Sequence, residues 1–105
     1  MIFGIPQNNA QNSDPNAAGQ DGFIFDVDAE SFETRVLQAS MQKPVIVDFW
    51  APWCGPCKQL MPVLEKVVSD AGGQVLMAKV DIDANPEIAQ AFKVQSVPTV
   101  FVLFQ

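Results

Sequence analysis

The only two cysteines of the chain, Cys54 and Cys57, stand two residues apart in the run Val45-Ile46-Val47-Asp48-Phe49-Trp50-Ala51-Pro52-Trp53-Cys54-Gly55-Pro56-Cys57-Lys58. Thiols at that spacing can close and open a disulfide without displacing the rest of a fold, so they point to dithiol–disulfide exchange. The pair falls where an apolar run gives way to a helical pattern. Cys54 comes at the start of the helix, and Cys57 lies on its apolar stripe with Leu60, Met61 and Leu64. Unpaired N–H groups and the helix dipole favour negative charge at Cys54, which predicts a lowered pKa and thiolate near neutral pH. Cys57 points inward and is expected to stay a thiol. Cys54, at the surface, would attack a substrate disulfide, and Cys57 would resolve the mixed disulfide. Pro56 belongs in the first helical turn, where its missing N–H costs nothing.

Two other readings of the pair stand beside this one. A Cys-x-x-Cys pair is also a zinc half-site. The chain has no His and no further Cys, so a single copy could complete a tetrahedral site only with carboxylates. A cluster or metal shared by two chains escapes that objection. The pair could also be redox-inert, because a cysteine at a helix start is activated whether or not it is used.

The elements that must position the pair follow from the periodicity. Phe23–Val27 is predicted as a short strand, and Asp28 as the cap of a helix presenting Phe32, Val36 and Leu37 on one face. Val45–Trp50 is apolar on both faces, as in a strand covered on both sides. Leu60, Leu64, Val67, Val68 and Ala71 recur at helical spacing until Gly72-Gly73 stops the helix. Val75–Val80 is a further strand, and Asn85-Pro86-Glu87 opens a helix through about Phe92. Thr99–Phe104 is a last apolar strand. Alternating strands and helices imply an α/β layer fold with a partly parallel sheet.

Composition narrows the function classes. The 105 residues suit one domain, and 49% hydrophobic content with eight Phe supports a modest core. A net charge of −6, from 12 acids against 6 bases, argues against nucleic acid or an anionic membrane as partner. There is no basic n-region followed by an apolar h-region and no stretch apolar enough to span a bilayer, which favours a cytoplasmic location. Residues 1–22 carry Gln7-Asn8-Asn9-Ala10-Gln11-Asn12-Ser13-Asp14-Pro15-Asn16 and little apolar content after Ile5, so they are expected to form a disordered tail. Met1–Ile5 could serve as a short docking motif or be an ordinary apolar start.

Trp-Ala-Pro-Trp-Cys-Gly-Pro-Cys-Lys at 50–58 resembles the active-site motif of the thioredoxin family. Asp48 in Val-Asp-Phe-Trp, Pro62 in the long helix, Val-Asp-Ile-Asp at 80–83 and Ser-Val-Pro-Thr at 96–99 fit that family in order and spacing, from about Phe23 to Gln105. The resemblance implies a thioredoxin-like fold over 23–105, with a central mixed sheet flanked by helices. It implies a thiol–disulfide oxidoreductase with no cofactor beyond the Cys54–Cys57 pair, protein disulfides as substrates and a thioredoxin reductase as partner.

It also implies roles for single residues. Asp48 is a carboxylate in an apolar run about 7 Å below the strand tip at strand rise, where burial raises its pKa. The family role is to accept the proton of Cys57, directly or through water. A solvated acid on a strand face is the alternative. Lys79 resembles the family lysine beside that acid, or else extends to solvent. Val97-Pro98 resembles the cis-proline turn that faces the dithiol and presents backbone to an extended substrate. Pro52, Trp53, Gly55 and Pro56 would form the docking surface around Cys54, while Trp50 and Pro62 are structural. Gly55-Pro56 adds no charge to stabilise the thiolate further, which suits a reductase better than an oxidase, and it matches the family's reductase-type dipeptide.

Two features depart from the family pattern. The family continues beyond the position of Gln105 with a fifth strand and a terminal helix. The expectation is therefore a fold truncated after the fourth strand, belonging to a longer protein, with an open apolar edge. The Asn/Gln-rich tail is the other departure. The segment from Pro44 through Val68 also resembles the thioredoxin domain of bacterial chaperedoxins, which implies a co-chaperone holding unfolded clients or meeting a chaperonin. A non-catalytic binding module is disfavoured by the presence of both thiols, the acid and the proline turn.

Overall fold

The computed structural model describes residues 22–105. The reading of 1–22 as a tail and of Met1–Ile5 as a docking motif lies outside the described residues, Gly22 apart. Four strands, β1 (Ile24–Asp26), β2 (Val45–Trp50), β3 (Leu76–Asp81) and β4 (Thr99–Leu103), form one sheet in the order β1-β3-β2-β4. β1, β3 and β2 run parallel, and β4 returns antiparallel to β2. The helices are α1 (Ala29–Phe32), α2 (Gly55–Asp70) and α3 (Pro86–Ala91). Each joins two strands, as parallel pairing requires for the first two connections.

Alternation along β2 divides the core in two. Val45, Val47 and Phe49, with Ala78 and Val80 of β3, pack against Phe32, Val36, Ile88 and Phe92. Phe49, Phe92 and Phe101 form a ring cluster there, with centroids 5.5–5.9 Å apart. On the opposite face Ile46 and Met77, with Ile24 of β1, meet Leu64 and Val68 of α2. Asp48 and Trp50 share the parity of Ile46 and so belong to this α2 face. β4 is an edge strand whose Val100 and Val102 are exposed, opposite Asp48 and Ile46. Among the described residues no helix is long and apolar enough to cross a membrane.

Local chemistry accounts for most element boundaries. Asp28 and Ser31 exchange backbone-to-side-chain hydrogen bonds of 2.9 and 3.1 Å, a capping box that starts α1. The chain then continues as wider π turns over Glu33–Gln38 and a tight 3-10 turn over Ala39–Met41. Val36 takes the buried place on this segment and Leu37 faces solvent, contrary to the sequence pattern. Likewise Val68 is buried and Val67 exposed on α2, because the inward stripe runs Cys57, Met61, Leu64, Val68 at i, i+4, i+7 and i+11. Asn85 precedes α3, but its side chain does not cap the helix. Its amide instead donates to the Asp81 carbonyl at 3.1 Å, fixing the β3–α3 loop.

Gly72 and Gly73 end α2 with φ of +63° and +99°. A Cβ at Gly73 would stand 3.0 Å from Cζ and 3.1 Å from Cε1 of the Phe23 ring. Gly73→Ala is therefore expected to lose about 1–3 kcal/mol from backbone strain and the clash together. A lowered urea midpoint at unchanged m checks this, and an unchanged midpoint would refute it.

Candidate active site

The β2–α2 junction brings the two cysteines together. β2 ends at Trp50, and the N–H of Cys54 donates to the Ala51 carbonyl at 3.0 Å, turning the chain into α2. Cys54 is the N-cap, with extended backbone, and its Sγ accepts the N–H of Cys57 at 3.2 Å. Cys54 and Cys57 are joined as a disulfide. Cys57 lies in the first turn of α2, in a cluster with Ala51 to which Trp50, Ile82 and Val97 add their sides. Gly55 and Pro56 are exposed in the same turn.

The expected contrast in exposure between the sulfurs is absent in this state: Cys54 is 4% exposed and Cys57 1%. The asymmetry lies in the backbone, since only Cys54 sits ahead of the helix and receives an N–H from it.

The surface around the pair is apolar and open. Trp53 is 67% exposed, and its Nε1 donates to Asp83 Oδ2 at 3.0 Å. Asp83 is itself held by its N–H on Asp81 Oδ1 at 2.9 Å. Pro52 is exposed beside Trp53. The Val97–Pro98 bond is cis, and Val97 packs against the disulfide cluster, so this turn borders the cysteines from the β4 side. Trp50 is half-buried with its Nε1 inside the protein and unpartnered among the described residues. Pro62 lies exposed inside α2.

Beneath this surface lies a buried charged group. Asp48 is wholly buried, and neither carboxylate oxygen has a hydrogen-bond partner among the described residues. It lies on the α2 face between Ile46, which packs with Leu64 and Val68, and Trp50, which packs with the cysteines. Lys79 stands in register with it on β3. The lysine does not extend to solvent: it is 2% exposed, and its Nζ pairs with Glu65 Oε2 of α2 at 3.2 Å. Burial pushes the Asp48 carboxyl from its ordinary 3.8 up to about 6, against the pull of Lys79 and with a smaller push from Glu65.

Glu65 and Asp83 escape the sequence reading as site residues. Asp83 stands within the Val-Asp-Ile-Asp run, but its pairing with Trp53 crosses 30 positions. Glu65 has no local signal at all, because its partner lies 14 residues away on another element. Among the described residues no group of three or more His, Cys, Asp or Glu side chains could hold a metal ion.

Comparison with known families gives a match to the thioredoxin family model over residues 23–105. The chain belongs to the thioredoxin family. A thioredoxin of Mycolicibacterium smegmatis is 50% identical over 88 residues, covering 82% of this chain and 76% of the relative. A thioredoxin of Mycobacterium tuberculosis H37Rv is 52% identical over 75 residues, covering 71% and 62% respectively. A bifunctional thioredoxin reductase/thioredoxin of Mycobacterium leprae is 51% identical over 84 residues, covering 80% of this chain and 18% of that protein. The chain thus spans less than two thirds of the last two relatives. The family is one of thiol–disulfide oxidoreductases, and in this chain the Cys-x-x-Cys pair at the start of α2 is closed as a disulfide.

Proposed function

We propose that the chain is a protein-disulfide reductase that exchanges a Cys54–Cys57 dithiol with disulfides of other proteins. The observation that carries this is the Cys54–Cys57 disulfide at the start of α2, with one sulfur receiving a helix N–H and the other inside the first turn. In the reduced protein, the Cys54 thiolate attacks one sulfur of a substrate disulfide. A Cys54–substrate bond forms, and the other substrate sulfur leaves as a thiolate that takes a proton from solvent. Cys57 gives its proton to Asp48, directly or through water, and attacks Cys54 Sγ. The Cys54–Cys57 bond forms, the Cys54–substrate bond breaks, and the second substrate sulfur departs as a thiolate that takes a proton, so that two electrons and two protons have passed to the substrate.

Docking uses the surface around the pair. Trp53, Pro52, Gly55 and Pro56 offer an apolar face, and the backbone at Val97–Pro98 offers strand-like hydrogen bonds to an extended segment. Trp50 and Pro62 support the shape of the site. A thioredoxin reductase is the expected source of electrons, a reading supported by the relative named for both activities. The cytoplasm, where such a reductase keeps thiols reduced, is the matching compartment. The alternative of a client-holding co-chaperone gains no support from these relatives.

Insulin reduction tests the proposal. With dithiothreitol as electron source, the chain is expected to bring forward the precipitation of the insulin B chain well ahead of dithiothreitol alone. A time course no faster than the reagent's own would overturn it.

A further inference from the structure

The ammonium of Lys79 has three carboxylates around it, Asp48 of β2 and Asp26 of β1 in register with it and Glu65 of α2, and its ion pair with Glu65 is 3.2 Å long. Asp48 is its register neighbour across β2 and β3, yet the ion pair goes to Glu65 on α2. Asp48 is left buried with both oxygens unpartnered among the described residues. A bare buried carboxylate next to an available buried cation is an unstable arrangement unless something holds the cation elsewhere. Glu65 does so. It is part-exposed, so its charge is less costly to keep than that of Asp48, and it approaches Lys79 from the helix above the sheet.

We propose that Glu65 is a positioning residue for the dithiol chemistry: by holding Lys79 toward α2, it keeps that cation off Asp48 and leaves the carboxyl free to take the proton of Cys57. The inference rests on the reductase reading for its purpose, but not for its geometry. An ion-paired Asp48 would be a weaker base, because the cation favours its charged form. An unpaired one keeps a proton affinity closer to that of a thiol, which is where a general base works best.

The charges that face Asp48 are few. Lys79 comes from β3 and Glu65 from α2. On β4 its register neighbour is Val100, and on β1 Asp26 is exposed and aligned with Lys79 rather than with Asp48. The cysteines do not titrate while joined. In the oxidised protein the carboxyl thus has no direct partner among the described residues, and Lys79 and Glu65 act on it only through space.

The test follows the Asp48 carboxyl by carbon NMR in oxidised wild type, Glu65→Gln, Glu65→Asp, Lys79→Met and the Glu65→Gln/Lys79→Met double variant. Glu65→Gln is expected to lower the Asp48 midpoint by roughly one pH unit, through loss of a like charge and release of Lys79. Glu65→Asp, which keeps the anion, is expected to stay near wild type. In the Lys79→Met background the same Glu65→Gln change is expected to move the midpoint far less. An unmoved midpoint in Glu65→Gln, or an equal movement with and without Lys79, would overturn the proposal. In turnover, the acid limb of mixed-disulfide resolution is expected to follow the midpoint to lower pH, with a roughly twofold to threefold loss at pH 7. An acid limb that stays put while the midpoint moves would also overturn it. A protein that shifts its titration as expected yet never reduces insulin would instead refute the reductase reading alone.

Discussion

Cys57→Ser protein is expected to accumulate mixed disulfides through Cys54 and to lose steady-state reductase activity by roughly 10³-fold or more, the scale on which removing one member of a catalytic unit acts. The N–H of Cys57 reaches Cys54 Sγ through the backbone, so serine at 57 leaves that hydrogen bond and the helix start in place. The first attack survives and only the second sulfur is missing. Cys54→Ser is expected to lose activity just as fully while trapping nothing. Its remaining thiol lies inside the first turn, packed against Ala51 with Ile82 and Val97 at its side. Non-reducing mass spectrometry after incubation with a disulfide peptide distinguishes the two. Equal trapping by both variants would show that the roles assigned to the two sulfurs do not follow from helix position.

The position of the two cysteines was legible in the sequence because it depends on local facts. A strand apolar on both faces, a turn containing Pro52 and a helix opened by Gly55-Pro56 fix where both cysteines stand, and β2 runs over the residues its pattern predicts. Burial of Asp48 was legible for the same reason: every neighbour in its strand is apolar. What the residues did not disclose was tertiary. Whether Lys79 reaches solvent depends on how closely α2 covers β3, and a strand pattern says nothing about the helix above it. The side chain closes onto Glu65 because α2 puts a carboxylate within 3.2 Å of the buried ammonium. The same limit explains Leu37 and Val67. Adjacent apolar residues on a helix lie 100° apart, and the width of the covered stripe decides which one is buried.

Oxidation state set a second limit. A helix-start cysteine reads as a surface nucleophile, yet Cys54 is only 4% exposed when bonded to Cys57. Its reactivity as a thiolate belongs to the reduced protein. The docking surface is better described by what flanks the pair, since Trp53 remains 67% exposed and tethered to Asp83. Such a tether holds a large apolar ring out in water, which limits its collapse onto the cysteines and keeps it available to a partner.

Asp48→Asn is expected to make the oxidised protein more stable and a worse catalyst. The folded carboxyl binds its proton at about 6, against an ordinary 3.8. Between those values the native state holds a proton that the unfolded chain has released. Stability from this group is therefore complete below pH 4 and is lost as pH rises through about 6. At neutral pH the ionised, unpaired carboxylate costs about 2–3 kcal/mol. Asparagine keeps the shape without the charge, although its buried amide retains part of the desolvation cost. The net gain at pH 7 is expected to be about 2 kcal/mol, or roughly 8–16 °C in melting temperature for a domain of this size. The fall in stability between pH 4 and 6 should flatten. Resolution of the mixed disulfide should slow by roughly tenfold to a hundredfold, below the larger general-base effects because a thiol also ionises to solvent. Calorimetry across pH 4–8 and single-turnover release of the second substrate thiol measure the two effects separately. A variant no more stable than wild type at pH 7 would mean the carboxylate is hydrated in solution. Its raised proton affinity would then need a cause other than burial. If both effects appear, the same desolvation that destabilises the native state holds a base near the pH where a thiol must be deprotonated, and the instability is a condition of the chemistry.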